Sequence, residues 1–260
     1  MVIIVSGGTF GIGRAISLKL ARDGHTVIAF GLETRQVSSV AENGAETLRA
    51  EAAAIGLHID TLEADVSDAA GVARVVDFAL TTYGSIGGLV NNAAIGPLGT
   101  ILTTSEELWQ RVLDVNLKGA YLASKAVLPH MIERGSGVIA NVGSGGGWGK
   151  PNMLAYAASK GGMFALAAAL AYDHAADGIR VNTVVPRPAT LTGMSLGRLG
   201  GDIERYKPAV AAVGRVATAD DCANAVAFLF TPGAGGLNGA IVDAGSLPRQ
   251  GGPLVPPPAP

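Results

Sequence analysis

The stretch "VIIVSGGTFGIGRAI", residues 2 to 16, holds an unbroken apolar run, a turn in which four of eight residues are glycine, and the start of a helical pattern. An apolar run of this kind reads as a strand covered on both faces. Glycines between a strand and a helix permit a tight turn and the close approach of a phosphate to free backbone N–H groups at the helix N-terminus. The spacing is Gly7-x-x-x-Gly11-x-Gly13. A P-loop needs Gly-Lys-[Ser/Thr] where this chain has Gly13-Arg14-Ala15, and G-x-G-x-x-G fits in no register.

The pattern repeats outward from this turn. Short β-branched runs at Val2–Val5, Thr26–Phe30, Ile59–Glu63, Gly88–Asn91, Gly137–Val142, Ile179–Val185 and Ala240–Asp243 alternate with helical segments near 12–22, 34–54, 69–82, 105–133, 154–175 and 219–230. Such alternation predicts an α/β fold, a doubly wound, Rossmann-like, seven-stranded parallel sheet with helices on both faces. Ligands then sit outside the carboxyl ends of the strands.

At 260 residues, one domain over 1–246 is expected, with a substrate loop near 187–213 and a Pro-rich tail at 247–260. The 19 Lys+Arg against 21 Asp+Glu leave a net charge of −2 and no basic block, so nothing recommends nucleic acid or an anionic membrane as partner. Only 15% of residues are charged, against roughly 25% in ordinary domains, which predicts apolar surface buried between subunits. The longest nearly unbroken apolar stretch, Met163 to Tyr172, is about half of the roughly 20 residues needed to span a bilayer. The start has no signal-peptide pattern and Cys222 has no partner for a disulfide, so the chain reads as cytoplasmic. The four histidines lie far apart, and no metal site is expected.

Strand ends supply the remaining candidates. "YAASK" places Tyr156 and Lys160 at i and i+4, on one helix face one turn apart. An ammonium beside a phenol stabilises the phenolate, which would let Tyr156 accept an alcohol proton near neutral pH. Taken alone, such a pair is more often a solvated helix face. Ser144 would likewise more often be a turn residue, and Asn116 a local hydrogen-bonder.

Together these segments resemble the short-chain dehydrogenase/reductase family. Ser6-Gly7 to Gly13 is similar to its T-G-x-x-x-G-x-G, Asp65-Val66 ends the third strand, and "NNAA" at Asn91–Ala94 matches N-N-A-G with Ala94 in place of glycine. Asn116 in "DVNLKGAY", Ser144 after "IANVG" and Tyr156-x-x-x-Lys160 follow in the family's order.

The resemblance implies an NAD(P)-dependent oxidoreductase acting on a secondary alcohol or ketone, assembled as a homotetramer or homodimer. In it Ser144 holds the substrate oxygen, Lys160 also holds the nicotinamide ribose, and Asn116 positions a water. The implied cofactor contacts are Ser6, Gly7, Thr9, Phe10, Gly11, Ile12, Gly13, Gly31, Leu32, Asp65, Val66, Asn92, Ala93, Ala94, Tyr156, Lys160, Pro186, Arg187 and Thr190. Gly145, Trp148, Met153 and Met194 would wall the substrate pocket. Rival readings are a catalytically silent dinucleotide sensor and a family member that dehydrates or epimerises its substrate.

Several positions depart from the family. Ser144 to Tyr156 is twelve positions, one fewer than usual, and Gly145, Gly146, Gly147 and Gly149 predict a mobile loop there. Arg187 stands where a glycine is normal. Gly31 replaces the acidic residue of NAD-using relatives, while neither Phe10 nor Leu32 is the arginine of NADP-using ones. Glu33 would repel a 2′-phosphate and Arg14 or Arg35 would attract one, which tips the expectation slightly to NAD(H).

Overall fold

The computed structural model describes residues 1–32, 34–37, 40–186, 194 and 218–244, with backbone alone for 34–37 and 40–42. The strands are β1 (Val2–Ser6), β2 (Thr26–Gly31), β3 (Thr34–Val37), β4 (Val40–Asn43), β5 (Ile59–Glu63), β6 (Gly88–Asn91), β7 (Gly137–Val142), β8 (Ile179–Val185) and β9 (Ile241–Asp243). The helices are α1 (Gly11–Arg22), α2 (Gly44–Ala54), α3 (Ala69–Tyr83), α4 (Glu106–Leu113), α5 (Gly119–Arg134), α6 (Leu154–Asp173) and α7 (Ala219–Leu229).

Seven strands form one parallel sheet in the order β5-β2-β1-β6-β7-β8-β9. The run "VIIV" is central, as two-sided burial requires. Ile3 and Val5 join a core with α1, α2 and α7, while Val2 and Ile4 face the opposite core with α3, α5 and α6. The chain leaves β1 toward β2 and β5 on one side and toward β6 and β7 on the other, so the order reverses beside β1 and opens a crevice at its carboxyl end.

The structure corrects two expectations. The helix expected over 34–54 is instead an antiparallel hairpin, β3 with β4, followed by α2. The helix starts where Asn43 caps it, its Oδ1 accepting from Glu46 N at 3.0 Å. The Asn-x-x-Glu spacing is visible in the sequence as a helix start. The glycines after Ser144 lie in a short turn packed on α6. Residues Gly145–Trp148 form a 3₁₀ turn, with Trp148 stacked on Phe164 at 5.2 Å between ring centroids. A Cβ on Gly147 would meet the α6 backbone at Lys160 C, 2.9 Å away, so glycine there lets the turn dock on the helix.

The segment expected as one helix over 105–133 is α4 and α5 joined by a π turn, Asp114–Lys118, with Asn116 inside it. By length and apolarity α6 would cross a membrane, yet its Tyr156, Lys160, Met163, Ala167 and Ala171 are buried within the fold.

Candidate functional site

The carboxyl ends of β1, β2, β5, β6, β7 and β8 open on a cleft of about 310 Å³. Gly7, Thr9, Phe10, Gly11 and Ile12 line it from the first turn, Gly31 and Leu32 from the second strand end, and Asp65 and Val66 from the third. Asn92, Ala93, Ala94, Tyr156, Lys160, Pro186 and Met194 complete the expected residues found there. Ser6, Gly13, Asn116 and Ser144 do not line it. Gly145, Trp148 and Met153 also lie away from it, and Met153 instead bridges to Gly99. Arg187 and Thr190, with the rest of the substrate loop apart from Met194 and the tail, lie outside the described residues.

The glycine turn folds back on itself. Gly7 and Gly11 adopt φ of 60° and 53°, the left-handed region that favours glycine. A Cβ on Gly13 would lie 2.0 Å from Gly7 O, so this glycine closes the turn from within. Ser6 acts inside as well: its Oγ donates to Val90 O at 3.3 Å and accepts from Asn92 N and Ala93 N at 3.1 and 3.2 Å. Asn92 Nδ2 returns to Ser6 O and Gly7 O. The ends of β1 and β6 are thereby fastened together.

The helix that follows is uncapped. Phe10 at the N-cap offers no side-chain hydrogen bond, and no acidic residue occupies the first turn. By contrast α2, α3 and α4 are capped by Asn43, Asp68 and Ser105. The α1 N-terminus thus directs unshared N–H groups and a positive dipole end into the cleft, a donor set that fits the pyrophosphate of a dinucleotide.

Lys160 lies at the other end. It is 1% exposed, and its Nζ donates to Val142 O at 2.7 Å and sits 6.0 Å from the centre of the Tyr156 ring. Burial pulls its ammonium down from the ordinary lysine value to about 8. Tyr156 is 8% exposed. A Cβ built on Gly146 would stand 3.3 Å from both Ser144 Oγ and Tyr156 Cε1, so the hydroxyl and the ring edge both lie against this glycine. Ser144 Oγ accepts from Gly146 N at 3.1 Å, which fixes the oxygen while the hydroxyl proton can still be donated.

Asn116 is fully buried, and its amide reaches inward rather than to the cleft. Its Oδ1 accepts from Ile95 N at 2.8 Å, and its Nδ2 donates to Ile95 O and Ser159 Oγ, both at 2.9 Å. Ser159 in turn donates to Tyr156 O at 2.8 Å. Asn116 therefore ties the π turn to the loop after β6 and to the helix that carries Tyr156.

The far end of the cleft holds Asp65. Its Oδ1 accepts from Ser67 N and Ser67 Oγ, and its Oδ2 pairs with Arg111 Nη2 at 3.2 Å. Burial alone would raise the carboxyl, but the Ser67 bonds and the Arg111 guanidinium outweigh it and hold Asp65 below the ordinary range. Arg111, Ile95, Val115, Ala64 and Gly143 line the cleft without having been singled out in the sequence. Arg111 and Val115 do share one helix face at i and i+4, just ahead of Asn116, a signal that helical spacing alone does not separate from any other face. A second unread feature is "YLASK", Tyr121 to Lys125, which repeats the "YAASK" spacing on α5.

With the geometry in place, the comparisons with known proteins decide the family. A family model described as short chain dehydrogenase matches residues 1–198. The chain belongs to the short-chain dehydrogenase family. It is 38% identical, over 94% of its length and 95% of the other's, to 2-(S)-hydroxypropyl-CoM dehydrogenase 3 of Xanthobacter autotrophicus. It is 31% identical to meso-2,3-butanediol dehydrogenase of Serratia marcescens, over 98% and 97% of the two chains. Among solved structures, a single-residue variant of actinorhodin polyketide ketoreductase with NADPH superposes with a TM-score of 0.83 at 30% identity, over 93% of this chain and 94% of that one. This short-chain dehydrogenase is an NAD(P)-dependent oxidoreductase that transfers hydride between a nicotinamide cofactor and a secondary alcohol or ketone.

Proposed function

We propose that Tyr156 transfers the proton and Lys160 supports it, that Ser144 holds the substrate oxygen, and that Asn116 positions the group. The observation that carries this reading is the burial of Tyr156 and Lys160 on α6, with Lys160 Nζ on the carbonyl that ends β7 and with Ser144 Oγ and the Tyr156 ring both beside Gly146. The nicotinamide ring, when bound, supplies the hydride acceptor. The chain's own residues do the rest. The Lys160 ammonium stabilises negative charge at the phenol oxygen, and Ser144 donates to the carbinol or carbonyl oxygen. Asn116 and Ser159 hold the Tyr156 backbone in place. The α1 N-terminus would hold the pyrophosphate and the residues around Asp65 would hold the base.

The cofactor favoured is NAD(H). Gly31 and Leu32 bring no cation to the ribose end. Arg14, which could have attracted a 2′-phosphate, is engaged by α2: its Nε and Nη2 reach Glu51 at 2.9 and 2.8 Å, and its Nη1 donates to Thr47 Oγ1 at 2.8 Å. Glu33 and the side chain of Arg35 lie outside the described residues.

The inner wall, with Ile95, Val142, Pro186 and Met194, favours a partly apolar alcohol. The two relatives, by name, act on hydroxypropyl and butanediol groups. A homo-oligomer is supported by the groove between α4–α5 and α6, lined by Leu113, Leu117, Tyr121 and Leu166, and by Tyr172, 87% exposed on α6. The packing of α6 into the fold supports a cytoplasmic protein without a membrane partner.

A panel of secondary alcohols and ketones, followed by nicotinamide absorbance with both cofactors, tests the reading. Turnover with a kcat/KM preference for NAD(H) is expected. A preference for NADP(H) of roughly tenfold or more, about 1.4 kcal/mol, overturns the cofactor choice. Sedimentation as a monomer at micromolar concentration overturns the oligomer.

A further inference from the structure

The outer end of the cleft holds a cation that neither the catalytic group nor the glycine turn requires. Arg111, on α4, is half exposed, and its guanidinium is fixed at two nitrogens, Nη2 on Asp65 Oδ2 at 3.2 Å and Nη1 on Ser67 Oγ at 3.3 Å. It shares the cleft wall there with Ala64, Val66 and Val115, which offer apolar surface and no hydrogen bonds of their own side chains. A guanidinium hydrogen-bonded along one edge to a carboxylate and a hydroxyl, beside apolar cleft residues, leaves its faces for stacking on an aromatic ring, and Arg does this far better than Lys. Asp65 meanwhile already accepts three hydrogen bonds, two at Oδ1 from Ser67 and one at Oδ2 from Arg111, which leaves it one open acceptor position. A base entering here gains less from the carboxylate than from the guanidinium beside it.

We propose that Arg111 is a cofactor-binding residue that stacks on the purine of the dinucleotide, held in place for that purpose by Asp65 and Ser67. This rests on the proposed seating of the cofactor with its base toward Asp65. The contacts with Asp65 and Ser67 bias the side chain toward the cleft wall before the base arrives, which lowers the rotamer freedom lost on binding.

The test is calorimetric titration of the wild type, Arg111→Ala and Arg111→Lys with NADH, its hypoxanthine analogue and reduced nicotinamide mononucleotide, with circular dichroism to verify folding. Both variants are expected to bind NADH and the hypoxanthine analogue about tenfold more weakly than the wild type. The mononucleotide, which has no purine, is expected to bind all three proteins equally. Hypoxanthine lacks the amino group that would donate to Asp65, so a loss that vanishes with this analogue would show that Arg111 only positions the carboxylate, and would overturn the proposal. Wild-type affinity in Arg111→Lys would overturn it in favour of plain charge attraction, and an equal loss with the mononucleotide would overturn it by placing Arg111 at the other end of the cofactor. A wild-type protein that binds the mononucleotide but gains nothing from the dinucleotide would instead refute the proposed seating.

Discussion

The chain contains the same five-residue spacing twice, Tyr121-Leu-Ala-Ser-Lys125 on α5 and Tyr156-Ala-Ala-Ser-Lys160 on α6. In both, the serine is buried and receives an asparagine amide: Ser124 from Asn91 Nδ2 at 3.2 Å, Ser159 from Asn116 Nδ2 at 2.9 Å. The outer two residues diverge. Tyr121 is 46% exposed and Lys125 donates to its hydroxyl at 3.2 Å, a helix-surface pair in water. Tyr156 is buried, and Lys160 donates to the carbonyl that ends β7. The pairs differ in the dielectric around the cation and in what lies in front of the phenol. Water screens a surface ammonium, whereas a buried one acts on its neighbours at close to full strength.

The largest expected effect separates the two tyrosines. Tyr156→Phe should lower kcat by roughly 10³-fold or more while leaving the Kd for NADH nearly unchanged, and Tyr121→Phe should leave kcat intact. Steady-state rates and NADH fluorescence titration on both variants check this. Equal effects would mean that burial is not what distinguishes the pairs.

Next come the lysines. The folded-state value of Lys160, about 8, lies below its ordinary 10.5, so the unfolded chain holds the proton more tightly. Burying the charge therefore costs stability below about pH 8, and the cost is relieved as pH rises from about 8 toward 10.5, by about 3 kcal/mol at most. Denaturant unfolding of the cofactor-free protein should show this rise relative to Lys160→Met, which lacks it. Lys125→Met, a change on the helix surface, should alter stability at neutral pH by no more than about 0.5 kcal/mol.

The smallest difference belongs to the serines. Ser124→Ala and Ser159→Ala each leave a buried amide short of an acceptor, and each should cost about 1–3 kcal/mol in urea unfolding. Only Ser159→Ala should also lower kcat, because it alone bonds the backbone of Tyr156. A kcat unchanged in Ser159→Ala would reduce the Asn116–Ser159 link to a purely structural one.

Much of the fold was legible because burial on both sheet faces leaves continuous β-branched runs, and these located each of the seven sheet strands to within a residue or two. The hairpin at 34–43 was not legible as strand, since its first residues satisfy a helical period as well as a strand one. The Asn43 cap that ends it was legible in the Asn-x-x-Glu spacing, and it marks the residue at which the helix begins. The cleft residues at strand ends were legible for the same reason as the strands. Arg111 was not, because nothing in "EELWQRVL" distinguishes the turn that meets Asp65 from the turn that meets water.

By itself the sequence determined the parallel sheet, the glycine turn at its switch point and the residue types we propose for the proton transfer, all of which follow from periodicity and residue type within a few positions. Tertiary structure alone decided how the glycine turn is divided, with Gly13 closed against Gly7 O and the α1 N-terminus left open. It also decided that Ser6 and Asn116 fasten the site from behind rather than line it, and which of two Tyr-x-x-Ser-Lys segments is dry. The physical reason is common to these cases. Desolvation and close contact depend on what other parts of the chain bring to the same place, and Val142, whose carbonyl accepts from Lys160, stands eighteen residues away on another element.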